Sequence, residues 1–316
     1  MEACLRMLLD SAMKKGTVKI NFTIGFGNNL FQYCTGKLIA DTFGLQLSHK
    51  GISEIGLSPS TAAEDSSLPT IYVDDANYKK VLYSSNVQDC NIVVNGYFED
   101  YKIFKPHLKE IRESFSPVEI TNTADVILHL RLQNRLVQEA HNKNHISAQS
   151  IKKVLQKFDF DKLHVVTDAE KWTHYDKYNI EKIQDQIRCG PNPNPAWVPT
   201  EQSIEYMNHL IDGLSDLEPI IHCNGEDMLQ GSGGLRSGFM DDFNLLRSFN
   251  QVIIHNSTFS WWAATLSGAQ KVAIFNPWKI AKPPRMRRNL GRTDYDGWFS
   301  WGGKEALYFD HYGVEE

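Results

Sequence analysis

The chain alternates between short β-branched runs and longer segments of helical spacing. Val18 to Ile24 (VKINFTI) alternates apolar and polar residues and predicts a strand. It runs into Gly25-Phe26-Gly27-Asn28-Asn29. From Leu30 to Phe43 the apolar positions Leu30, Phe31, Cys34, Leu38 and Ile39 have helical spacing, closed by Gly44. Strand, glycine turn and helix are the opening of a doubly wound α/β unit. Gly51 to Thr70 is rich in Ser, Gly and Pro and reads as a loop. Asn91 to Asn95 (NIVVN) predicts a strand, leading through Gly96-Tyr97-Phe98 into a charged helix ending near Phe115. Ser116-Pro117 then interrupts the pattern.

The second half repeats the alternation. Strands are predicted at Ala124–Leu130, His164–Thr167, Pro219–His222, Gln251–His255 and Lys271–Phe275. Helices are predicted at Ser147–Phe158, Ile204–Leu214 and Asp241–Phe249, with a helix start at Phe259–Leu266. The boundary falls between Ser116 and Thr123, which gives residues 1–118 and 119–316 as two α/β domains. The expected architecture is two facing Rossmann-like domains with a cleft between them. No repeat of fixed period and no low-complexity tract interrupts it.

Composition narrows the function. Of 316 residues, 41% are hydrophobic and 22% charged, the mixture of an ordinary globular protein. No run approaches the length of a membrane span, and Arg6 and Asp10 break the apolar N-terminal stretch. The expectation is a cytoplasmic or otherwise soluble protein without signal peptide or anchor. A net charge of -5 argues against general nucleic-acid binding, so an anionic ligand must meet a local positive site. Five cysteines, an odd number without CxxC, read as reduced thiols rather than a disulfide framework or zinc site. His141 and His145 lie one helical turn apart but lack the glutamate of a zinc-hydrolase helix. Asp159-Phe160-Asp161 and Asp294-Tyr295-Asp296 match the short DxD pattern of metal-dependent sugar transferases, a pattern common by chance. Oligomeric state leaves no mark in the sequence.

In open α/β sheets ligands lie at the carboxyl ends of strands, where helix N-termini present free N–H groups. Three strand ends qualify: the GFGNN turn, the segment after His129, and Asn256-Ser257-Thr258-Phe259-Ser260. Gly25 and Gly27 allow close backbone approach, or only shape a tight turn. The hydroxyls of 256–260 can hold phosphate oxygens or simply cap a helix, and Trp261 and Trp262 can serve a core.

The stretch GFGNNLFQYCTGKLIA resembles the opening of the α-1,2-fucosyltransferase family (glycosyltransferase family 11), whose pattern runs GGLGNQMFQYAFGRALA. Gly96-Tyr97-Phe98, followed by Tyr101, Phe104 and Glu110 to Arg112, is similar to the family's GYFQSEKYF…EIRKEF. Val166-Thr167-Asp168 with Trp172 looks like FSDDPEW, and Asn256 to Ala264 (NSTFSWWAA) is nearly verbatim. Pro277-Trp278 looks like a later family block. The resemblance implies a GT-B-type fold and metal-independent, inverting transfer of L-fucose from GDP-L-fucose to a sugar hydroxyl, usually the 2-hydroxyl of galactose. It implies GDP-L-fucose as co-substrate, no cofactor or metal, a glycan acceptor on residues 1–118 and the nucleotide sugar on residues 119–316. The family's HxRRGD stretch corresponds here to His129-Leu130-Arg131-Leu132-Gln133-Asn134. Arg131 carries over as the pyrophosphate clamp and His129 as its neighbour, though a histidine at a strand end also serves structure. Leu132 and Asn134 depart from the pattern and leave open another GDP-sugar or deoxysugar donor, or a binding protein without catalysis. Gly25 and Gly27 carry over near the donor phosphates, and Asn28 near those phosphates or the reacting centre, as a catalytic residue with Arg131 and His129. Asn256, Ser257, Thr258 and Phe259 carry over as phosphate holders. Asp242 occupies the family's acidic position, where a helix N-cap is the other reading. No general base is assigned.

Overall fold

The computed structural model describes residues 16–22, 25–84, 87, 89–130, 146–167, 201–222, 239–255, 257–275 and 305–309. The chain divides into two compact units, residues 1–116 and 117–316. Both carry parallel α/β sheets, so the α/β class and the two Rossmann-like sheets expected of a GT-B-type protein are present.

In the first unit β1 (Thr17–Ile20) leads into α1 (Phe26–Phe43) and β2 (Gln46–Ser48). Next come β3 (Thr70–Val73), α2 (Tyr78–Leu82), β4 (Asn91–Val94), α3 (Tyr101–Phe104) and α4 (Leu108–Glu113). The strand order is β2-β1-β4-β3, all parallel. α1 begins at Phe26, four residues earlier than the apolar spacing predicts, because Gly25 (φ 102°) supplies the turn and Asn29 N–H already bonds the Gly25 carbonyl at 3.0 Å. It ends as expected at Gly44, whose N–H reaches Ala40 O. The charged helix before Phe115 is broken at Pro106 into α3, a 3₁₀ turn and α4. β3 and α2 follow a segment read as loop alone; half-exposed strands this short carry little pattern.

The second unit begins with β5 (Asn122–Leu130), α5 (Ala148–Leu155), β6 (Leu163–Thr167), α6 (Glu201–Leu214) and β7 (Ile220–His222). It continues through α7 (Phe239–Arg247), β8 (Phe249–Ile254), α8 (Thr258–Leu266), β9 (Lys271–Phe275) and β10 (Glu305–Phe309). The order is β10-β9-β8-β5-β6-β7, all parallel. Read from β7, this is the 3-2-1-4-5-6 order of a dinucleotide-binding sheet, and the direction of winding reverses between β5 and β8. Both faces are covered, which explains the near-continuous apolar strands. Val126, Leu128 and Leu130 of β5 pack with Ile151, Val154 and Leu155 of α5 and with Met207, Leu210 and Leu214 of α6. Ile127 and His129 point to the opposite face, where His129 meets Phe259 of α8. Each large apolar side chain buried in this way contributes about 1.5–3 kcal/mol. Trp261 and Trp262 are buried edge to face, with centroids 4.9 Å apart, as a core reading requires.

Candidate functional site

The reversal between β5 and β8 places their carboxyl ends at the crevice where such sheets bind ligands. His129 is the penultimate residue of β5 and pairs with Ile254, the last residue of β8. Its ring is 6% exposed and lies 5.7 Å from that of Phe259, in the first turn of α8. Phe259 is braced from behind by Phe243 of α7, edge to face at 5.3 Å. α7 precedes β8, so its first turn, which carries Asp242, lies at this same end of the sheet; Asp242 is 1% exposed. His129, Asp242, Ser257, Thr258 and Phe259 are therefore brought to one edge.

Ser257 is the N-cap of α8 in extended conformation, but its side chain makes no capping hydrogen bond. Its carbonyl accepts from Trp261 N–H (2.9 Å) and from Ser260 Oγ (3.3 Å), which also donates to His255 O at 3.2 Å. The Ser257 hydroxyl, on a residue 5% exposed, finds no partner among the described residues. A buried hydroxyl without a described partner at a helix N-terminus has the chemistry to meet an anion.

Gly25, Gly27 and Asn28 lie in the other unit, at the turn after β1. Only Gly25 has positive φ; Gly27 sits buried within the first turn of α1, so its value is small size and not left-handed backbone. Asn28 is partly exposed in the same turn. Gln32, one turn further on and buried, donates to Gly96 O at 2.7 Å and ties α1 to the loop after β4. That loop holds Phe98 at φ 53°, with the Asp75 carboxylate accepting from Tyr97 N–H (2.9 Å) and Phe98 N–H (2.6 Å). The sequence reading missed Asp75, Gln32 and Phe243. The helical spacing of Phe243 and Leu246 could have marked Phe243; Asp75 and Gln32 act across long separations that spacing does not register.

Arg131, Leu132, Asn134, Asn256, Asp168, His141, His145 and Asp294 to Asp296 lie outside the described residues. Asp159 and Asp161 precede β6 and so belong to the amino end of the sheet, away from the crevice. Arg247 ends α7 at that same far end, its guanidinium 5.6 Å over Phe243 and its pKa lowered by burial. Among the described residues no cluster of three or more His, Cys, Asp or Glu side chains could hold a metal ion. No helix among them is long and apolar enough to cross a membrane.

Fold and geometry together define a parallel α/β protein whose strand order reverses at β5/β8, the place where such sheets bind ligands. The Glycosyl transferase family 11 model matches residues 219–294, which run from β7 through α7, β8, α8 and β9 and contain Ser257. The resemblance to this family read from the sequence is borne out over that segment. No curated protein matches the chain. Among solved structures, Arabidopsis thaliana FUT1, an arginine-to-lysine mutant in complex with GDP, is similar at 11% identity over 87% of this chain and 74% of that one, with a TM-score of 0.41.

Proposed function

We propose that the protein is an inverting fucosyltransferase that moves L-fucose from GDP-L-fucose to a sugar hydroxyl, the 2-hydroxyl of galactose in a glycan being the first candidate. The observation that carries the reading is the buried Ser257 hydroxyl, without a partner among the described residues, at the N-terminus of α8, at the sheet reversal and inside the segment the family model matches.

In the proposed reaction the acceptor oxygen attacks the fucose anomeric carbon from the face opposite the diphosphate. The bond to the β-phosphate oxygen breaks and the acceptor hydroxyl loses its proton. Negative charge grows on the departing GDP, so donors fixed in advance around the diphosphate lower the barrier. Ser257 Oγ and the first N–H groups of α8, at Thr258 and Phe259, supply such donors. Arg131, the residue following β5, is assigned the charge-assisted contact, worth about 1.5–3 kcal/mol. His129 is held against Phe259 and sets the end of β5 beside these donors. Asn256, Asp242 and the Gly25–Asn28 turn are assigned supporting contacts to the donor. Metal independence belongs to the same proposal.

Leu132 and Asn134, in place of the family's second arginine and its aspartate, favour a second reading in which the donor is another GDP-sugar or deoxysugar. Calorimetry with GDP, GDP-fucose and GDP-mannose, followed by a product assay on galactosides, separates the cases. GDP-fucose turnover supports the first reading, and turnover with another donor alone selects the second. GDP binding without turnover reduces the protein to a binding function, and absence of GDP binding removes both transferase readings.

A further inference from the structure

A hollow of about 490 Å³ opens within the first unit at the carboxyl ends of β1 and β2. Phe22 follows β1, His49 and Lys50 follow β2, and Ser60 and Thr61 close the hollow from a returning loop. That loop is fastened, not merely adjacent. His49 and Ser60 exchange backbone hydrogen bonds of 2.8 and 2.9 Å, and Ser60 Oγ donates to Leu47 O at 2.8 Å.

The histidine is set in one tautomer. Gly51 N–H donates to His49 Nδ1 at 3.1 Å, so Nδ1 carries the lone pair and the proton of the neutral ring sits on Nε2. Burial lowers the His49 pKa and favours that neutral ring. Gly51 can make this contact because it adopts φ +81°; a Cβ there would lie 2.7 Å from Leu57 O and 2.8 Å from Pro59 N. Tyr33 packs edge-on against the imidazole at 5.3 Å and Phe22 lies 6.2 Å away, which fixes the ring plane. The Nε2–H is thus an oriented donor, with no acceptor among the described residues.

The charges are one-sided. Lys50 Nζ stands 5.8 Å over the Phe22 ring and has no carboxylate partner among the described residues. Lys19, the other lysine of the lining, is paired to Glu64 at 2.9 Å, and among the described residues no Asp or Glu lines the hollow. An aromatic face, an oriented N–H donor, hydroxyls and one uncompensated cation are the equipment for a sugar ring that carries a negative group.

We propose that this hollow is the acceptor subsite and that it selects an anionic sugar, a uronate or a sulfated hexose, with Lys50 meeting the negative group and His49 Nε2–H a ring oxygen. The inference rests on the glycosyltransferase reading for the word acceptor, but its test needs no donor. The full chain is titrated with methyl galactoside, methyl galacturonoside and the 6-sulfated galactoside, and separately with GDP. Both anionic sugars should bind roughly fivefold more tightly than the neutral one. Lys50→Gln should abolish that preference, His49→Ala should weaken all three sugars, and His49→Gln, which restores an N–H donor, should recover part of the loss. GDP affinity should be the same in every variant. A preference for uronate without sulfate, or the reverse, assigns the anion source within the proposal. Equal affinity for all three sugars, no sugar binding, or a preference that survives Lys50→Gln overturns it. So does a loss of GDP affinity in these variants, which would make the hollow a donor phosphate site. Failure of the transferase reading is seen separately, as absent GDP binding in the unsubstituted protein.

Discussion

Ser257→Ala separates a ligand-binding hydroxyl from an ordinary helix cap. Removing a serine N-cap normally costs about 1 kcal/mol, because its oxygen satisfies an N–H of the first turn. Ser257 makes no such bond, and its buried hydroxyl has no partner among the described residues. The native state already bears the desolvation of that group, about 1–3 kcal/mol, without compensation. The substitution should therefore leave stability unchanged or raise it by up to about 1 kcal/mol. Affinity for GDP should move the other way. One hydrogen bond to a charged phosphate oxygen is worth about 1.5–3 kcal/mol, so the dissociation constant should rise roughly ten- to hundredfold. Urea denaturation measures the first quantity and calorimetry with GDP the second. A loss of about 1 kcal/mol in stability with GDP affinity intact would show Ser257 to be a simple cap and refute the anion cradle.

Arg131→Ala should lower the transfer rate by roughly 10²–10³-fold while the circular dichroism and unfolding midpoint stay in place; an unchanged rate removes Arg131 from the mechanism. Chelation by EDTA should leave transfer unaltered, and a strict Mn²⁺ requirement would revive the acidic DxD pairs. Gly51→Ala should destabilise the first unit by about 1–3 kcal/mol, since a Cβ at φ +81° meets the Leu57 carbonyl, and equilibrium unfolding that matches the parent would contradict that geometry. Stability should also fall in acid. Burial and the neighbouring His164 lower the His222 pKa below the ordinary histidine value of 6.5, with the two rings stacked and His164 bound in turn to Asp125 at 3.1 Å. The unfolded chain then binds more protons just below pH 6.5, so folding is favoured above that pH and weakened as pH falls through the lower, folded value. Denaturation midpoints taken from neutral pH downward should show this slope, and His222→Gln should flatten it; an identical slope in the variant would exclude His222 as its source.

Much of the fold was legible from local pattern. The strands at 124–130, 164–167 and 271–275, the helix start near Phe259 and the Gly44 stop are all within a few residues of what periodicity predicts. Periodicity belongs to consecutive residues, and a parallel sheet buried on both faces writes it strongly. The weaker elements were lost for the same reason. β3 is half exposed, Pro106 splits a helix whose charges continue through it, and the start of α1 depends on a single glycine turn. The block from Asn256 to Phe259 drew attention through its hydroxyls and through the resemblance, yet its chemistry stayed open, since a serine before a helix caps it in most settings.

What the sequence by itself determined is the alternation of strands and helices, the glycine turn before α1, the hydroxyl-rich start of α8 and the balance of charge. Tertiary structure alone decided that β5 lies beside β8, so that His129 meets Phe259, and that Asp75 and Gln32 hold the loop after β4. It also decided that the Ser257 hydroxyl is buried without a bond to any described residue, and that Gly51 sets the His49 tautomer. The physical reason is the range of the forces involved. Helix and strand periods are imposed by neighbours in the chain, whereas pairing, burial and hydrogen-bond satisfaction depend on partners that only the folded backbone brings within a few ångströms.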